Sequence, residues 1–106
     1  FIMSEVEETI NRIKMHTSVE GLLIVNSEEN IIRNTFANKE LADSVSKTIP
    51  QLAKKARSVV RDLDPCNNLS FLRIRSKYYE IMVAPDENYM LIVVQKTNEG
   101  KRDENQ

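Results

Sequence analysis

The chain has 106 residues, 41% of them hydrophobic and 29% charged, which is the length of one domain and the usage of an ordinary globular protein. Net charge is −1, split as five basic and eight acidic residues over positions 1–50 and ten and eight over 51–106; this excludes a global field for nucleic acid or an acidic membrane, and a nucleic-acid arm. The single cysteine, Cys66, excludes an internal disulfide and predicts an intracellular setting, and no apolar run approaches the roughly 20 residues of a membrane span. No signal-peptide pattern opens the chain. Met3 is expected to be the natural start, with Phe1 and Ile2 a remnant ahead of it.

Ser4 followed by Glu7 has the spacing of a capping box, and Glu5, Glu7 and Glu8 suit the positive end of a helix dipole. Val6, Ile10 and Ile13 recur at helical spacing, which predicts a helix over 5–16 with a narrow apolar stripe that must dock on something. From Val19 to Asn26 both faces are apolar, with Leu22 and Ile24 on one side and Leu23 and Val25 on the other, so this strand should be covered twice. Ser27 to Asn30 is the turn, with Asn30 as a candidate for left-handed geometry. Ile31 to Phe36 is a more polar strand suited to a sheet edge.

A long helix is predicted from Asn38 or Lys39. Its stripe is Leu41, Val45, Ile49, Leu52, Ala56, Val59 and Leu63. Pro50 removes one backbone hydrogen bond and crowds the preceding turn, yet the stripe keeps its phase, which predicts one kinked helix rather than two. Asp64-Pro65-Cys66-Asn67-Asn68 breaks it. Leu69 to Arg75 alternates, with Leu72 and Ile74 on one face and Phe71, Arg73 and Arg75 on the other. Tyr79 to Ala84 is a further strand, Pro85 to Asn88 a turn, and Tyr89 to Gln95 a last strand that is again apolar on both faces. Lys96 to Gln106 should be a solvated tail. The two doubly apolar strands belong side by side in the middle of one antiparallel sheet, with one helix on each face. The fold class is therefore α/β in the α+β sense.

Candidate chemistry is sparse. Cys66 has no base in sequence reach to activate it, Gly21 and Gly100 are the only glycines and make no phosphate loop, and no His, Cys or Asp spacing suits a metal. His16 reads as a helix C-terminal charge. The expectation is a non-enzyme with no cofactor and no metal. Arg73, Arg75 and Lys77 form the sharpest polar cluster. They read either as a rim for acidic side chains of a partner with Phe71 as apolar anchor, or as a solvated edge that blocks aggregation. Arg57 and Arg61, with Asp62 and Asp64 near, read as a cap or an intersubunit ion pair. Tyr78 and Tyr79 are expected to split across the sheet, one inward and one outward.

Several blocks in order resemble the roadblock (LC7) dynein light chains: Ser4-Glu5-Val6-Glu7-Glu8-Thr9, Val19 to Asn26, Ala56-Arg57-Ser58, Arg61-Asp62-Leu63-Asp64-Pro65, Phe71 to Lys77 and Glu80 to Asp86. The resemblance runs from about Met3 to Gln95. Roadblock chains often carry a glycine where this one has Glu29 and Asn30, and they do not generally require a proline at Pro50. The resemblance implies a profilin-like β-β-α-β-β-β core with an N-terminal helix over residues 3–96, a polar tail over 97–106, and the strand order 31–36, 19–26, 89–95, 79–84, 69–75. It implies an isologous dimer, homotypic or with a paralogue, in which the 69–75 edges pair and the long helices pack together. Leu52, Ala56, Val59, Leu69, Phe71, Arg73 and Arg75 would form that interface. Phe71, Arg73, Arg75, Lys77 and Tyr79 would bind a segment of the dynein intermediate chain, in the cytoplasm and cytoskeleton or the axoneme. Roadblock-like domains also occur as scaffolds or regulators of small GTPases, which is the alternative reading.

Overall fold

The computed structural model describes residues 3–14 and 18–98. His16, Phe1, Ile2 and residues 99–106 lie outside the described residues, as do the side chains of Ser4, Val6, Ile10 and Ile13. The capping-box and stripe expectations for the first helix fall on these positions.

The elements in chain order are α1 (Met3–Lys14), β1 (Val19–Asn26), β2 (Ile31–Asn34), α2 (Lys39–Leu63), β3 (Leu72–Arg75), β4 (Tyr79–Pro85) and β5 (Tyr89–Lys96). The strands form one five-stranded sheet in the order β2-β1-β5-β4-β3. All its pairings are antiparallel. The two doubly apolar strands, β1 and β5, sit at the centre as their pattern requires. On one face, Leu23, Val83, Ile92 and Val94 pack with Phe36 and with Ala42, Val45, Ile49 and Ala53 of α2. On the other, Leu22 and Val93 are buried with Val19, Ile24, Met82 and Leu91 against them.

Helix α1 belongs to this second face. Arg33 pairs in register with Ile24, so their side chains share a face, and Glu7 of α1 forms an ion pair with Arg33.

The β1–β2 turn is held by a side chain rather than a glycine. Asn26 Oδ1 accepts from the Glu28 N–H at 3.0 Å and the Asn30 N–H at 2.9 Å. The left-handed residue is Glu29, at φ 67°, and not the expected Asn30. Lys54 of α2 donates to the Glu29 carboxylate at 2.6 Å, which holds a residue in a conformation that is uncommon for a side chain of its kind.

Helix α2 runs 25 residues unbroken through Pro50, as one helix. Its first turn is capped: Asn38, in extended geometry, accepts from the Leu41 N–H through Oδ1 at 3.1 Å. Asn38→Ala should therefore destabilise the fold by about 1 kcal/mol, read as a lower urea midpoint with an unchanged slope.

Several edges of the sequence reading shift: α1 starts at Met3 rather than Glu5 and β4 ends at Pro85 rather than Ala84, and three further shifts have visible causes. Strand β2 stops at Asn34, because Asn34 Oδ1 takes the Phe36 N–H at 2.9 Å and turns the chain inward. Strand β3 starts at Leu72 rather than Leu69. The Asn67 and Asn68 side chains take the N–H groups of Asn68 and Leu69, satisfying backbone that would otherwise seek a ladder. At the other end the chain stays in the sheet through Lys96. Thr97 is buried, its N–H donating to Tyr78 O at 2.9 Å, so the solvated tail cannot begin at Lys96.

Candidate interaction surface

Among the described residues, two surfaces outside the core carry the residues predicted to bind a partner or a second copy. The first lies on α2. The helix carries a wider apolar arc than the sheet can cover. Ala42, Val45, Ser46, Ile49, Pro50 and Ala53 are buried, while Leu52 and Val59 are 45% and 47% exposed and Leu63 is 83% exposed. Side chains step by about 100° per residue, so Leu52 and Lys54 flank the buried Ala53 on opposite sides. Lys54 reaches the β1–β2 turn, so the exposed line Leu52, Val59, Leu63, with half-buried Ala56 beside it, runs along the flank away from that turn. Length adds to the effect. A helix of 25 residues spans about 38 Å, whereas a strand of 7 or 8 spans about 25 Å, so α2 overhangs the sheet.

The second surface is β3, an edge strand paired on one side with β4. Leu72 and Ile74 lean on the α2 core and are half-buried, while Phe71, Arg73 and Arg75 are exposed, on the face that carries α1. The predicted alternation of this strand is thus found. The arginines, however, are not free. Glu80 on β4 stands opposite Arg75 in the register and is only 3% exposed. Its Oε1 accepts from Arg73 Nε at 2.6 Å and also meets Arg73 Nη2, and its Oε2 lies 3.7 Å from Arg75 Nη1. Gln95 Nε2 donates to Oε1 at 3.5 Å. Burial of a carboxylate is costly unless it is paired, and here two guanidinium groups supply the pairing. Glu80 was not singled out in the sequence. The signal that could have found it is an acidic residue at an inward position of a strand with an Arg-x-Arg neighbour.

Phe71, 50% exposed, forms one wall of a cavity of about 350 Å³ on the same face, whose other walls are Val19, Met82, Ala84, Leu91, Val93 and Gln95. Leu69 is half-buried in the loop before β3. Lys77 is exposed in the β3–β4 turn, its Nζ 5.4 Å from the centre of the Tyr78 ring. Tyr78 and Tyr79 are both exposed, so neither points inward as expected. The Ser76 N–H and Oγ both bond Tyr79 O, which closes the turn and holds the pair at the surface. Arg57 Nε donates to Asn68 Oδ1 at 3.0 Å, tying the helix end to the following loop. The structure therefore gathers Phe71, Arg73 and Arg75 on one face, and leaves Leu52 and Val59 on a separate line on α2. Among the described residues no cluster of His, Cys, Asp and Glu suits a metal, and no helix is long and apolar enough to cross a membrane.

Solved structures share this architecture. A Roadblock/LC7 domain from Streptomyces avermitilis superposes with a TM-score of 0.72 at 9% identity, over 83% of this chain and 74% of that one. MglB in a tetrameric arrangement gives 0.73 at 11% identity, over 96% and 81%. Myxococcus xanthus MglB gives 0.69 at 9% identity, over 88% and 76%. At such identities the likeness is one of fold. The profile of the Roadblock/LC7 domain matches residues 5–96, and the chain belongs to the Roadblock/LC7 domain family.

Proposed function

We propose that this chain is a non-catalytic, self-associating roadblock module that scaffolds or regulates a small GTPase. The observation that carries self-association is the apolar line Leu52, Val59, Leu63 on α2, outside the core, in a molecule whose sheet also ends in an open β3 edge. A helix flank of this kind and an open edge are each stabilised by a second copy. The GTPase reading, earlier the alternative, is supported over the motor reading by Glu80. Glu80 offsets one of the two positive charges that would grip acidic side chains of an intermediate chain. The solved relatives in fold, from Streptomyces avermitilis and as MglB, also add nothing in favour of a motor complex.

The dynein light chain remains the second reading, favoured by the apolar cavity beside Phe71, which suits an anchor side chain of an amphipathic segment. Calorimetric titration separates the two. The purified chain is titrated with the small GTPases of its source organism, loaded with GDP or with a non-hydrolysable GTP analogue, and with fragments tiling the N-terminal region of a dynein intermediate chain. Nucleotide-selective binding and a changed rate of nucleotide turnover are expected. Saturable binding of one intermediate-chain fragment with no GTPase response would overturn the GTPase assignment in favour of the light chain.

A further inference from the structure

We infer that Glu80 is the positioning residue that lets the β3 edge pair with a second copy of itself; the inference rests on the self-association proposed above. The reason is geometric. Residues opposite one another in an antiparallel pair point to the same face. A two-fold axis perpendicular to the sheet keeps the α2 helices of both copies on one side. It therefore sets each β3 residue against one of the same parity, since a one-residue slip would turn a copy over. Centred on position 73, the pairing sets Arg73 against Arg73 and Phe71 against Arg75; centred on 74, it sets Arg73 against Arg75 twice. In either register guanidinium groups of the two copies meet at cross-strand distance, about 5 Å between Cβ atoms, on the face where both residues already lie. Like charges directly opposite are destabilising.

The counter-charge is built in one strand away. Glu80 is buried, faces the same side, and reaches Arg73 and Arg75 at once, so the patch carries two positive charges and one negative per copy. The carboxylate thus acts through the arginines, without needing to touch the second copy.

The test compares dimer dissociation constants by sedimentation equilibrium in low salt and in high salt, for the wild-type chain, Glu80→Gln, Arg75→Gln and the double variant Glu80→Gln/Arg75→Gln. Patch charge per copy is +1, +2, 0 and +1 in that order. Glu80→Gln should weaken the dimer about tenfold at low salt, with the deficit shrinking as salt screens the arginines. The double variant should return to wild-type strength, and Arg75→Gln should dimerise at least as tightly as wild type. A residue that merely holds the fold predicts the opposite order, with the double variant no better than Glu80→Gln and no response to salt, and that result overturns the inference. If Glu80→Gln does not fold, weakening by Arg75→Gln alone overturns it. A wild-type dimer with indifferent variants removes this inference only; a wild-type monomer removes the proposed self-association as well.

Discussion

Val59→Glu is expected to leave the protein a folded monomer. Val59 is half exposed on an α2 flank that the core does not use, and glutamate is a good helix former, so the isolated fold tolerates the change. In a helix-to-helix dimer the same position is apolar and desolvated, and two-fold symmetry introduces the carboxylate twice. An unpaired buried charge costs about 3 kcal/mol or more, a loss of at least about a hundredfold in dimer affinity. Sedimentation velocity reads the loss, and far-UV circular dichroism with thermal unfolding at low concentration confirms that the fold survives. Leu63→Glu, at a position already 83% exposed near the helix end, should do less.

Gly21→Ala, the addition of a single methyl group, is expected to destabilise the fold strongly. The φ of Gly21 is not positive, so its backbone accepts alanine; space decides. A Cβ at position 21 would clash with the Phe36 ring at Cγ, Cδ1 and Cδ2, well inside van der Waals contact. These atoms are not the free end of a flexible side chain, and Phe36 is buried in the α2 core. The chain around Phe36 is also fixed, because Thr35 Oγ1 accepts from the Leu22 N–H at 2.8 Å and the Thr35 N–H donates to Leu22 O at 3.0 Å. Overpacking of this kind costs about 1–3 kcal/mol. Phe36→Ala alone costs about 3–5 kcal/mol. The double variant should cost clearly less than the sum of the two, since removing the ring removes the clash; urea unfolding of the four proteins measures that coupling.

How much of this was legible from the residues follows from period and burial. The doubly apolar runs Val19–Asn26 and Tyr89–Gln95 placed the sheet centre, because a strand greasy on both sides needs a cover on both. The alternation around Arg73 was legible for the same reason. What the residues did not reveal depends on neighbours distant in sequence. The stripe on α2 reads as one face, yet Val45 and Ile49 enter the core while Leu52, Val59 and Leu63 stay outside. Rotation by about 100° per residue puts Leu52 and Val59 on a flank of the buried face, and the helix overhang carries Leu63, at the angle of Val45, beyond the sheet. Glu80 looks like any charged strand residue until β3 and β4 are in register. Glu29, not Asn30, takes the left-handed position because Asn26 gathers the N–H groups on either side of it. The packing of Gly21 on Phe36 joins residues fifteen positions apart across a turn, which no local pattern signals.

The central claim is that this roadblock domain works as a pair. Its most direct test is the solution mass of the untagged wild-type chain by sedimentation equilibrium across the micromolar range, with Val59→Glu run beside it. A mass of two chains for the wild type and one for the variant is the predicted result. A wild-type mass of one chain at every concentration would contradict the account.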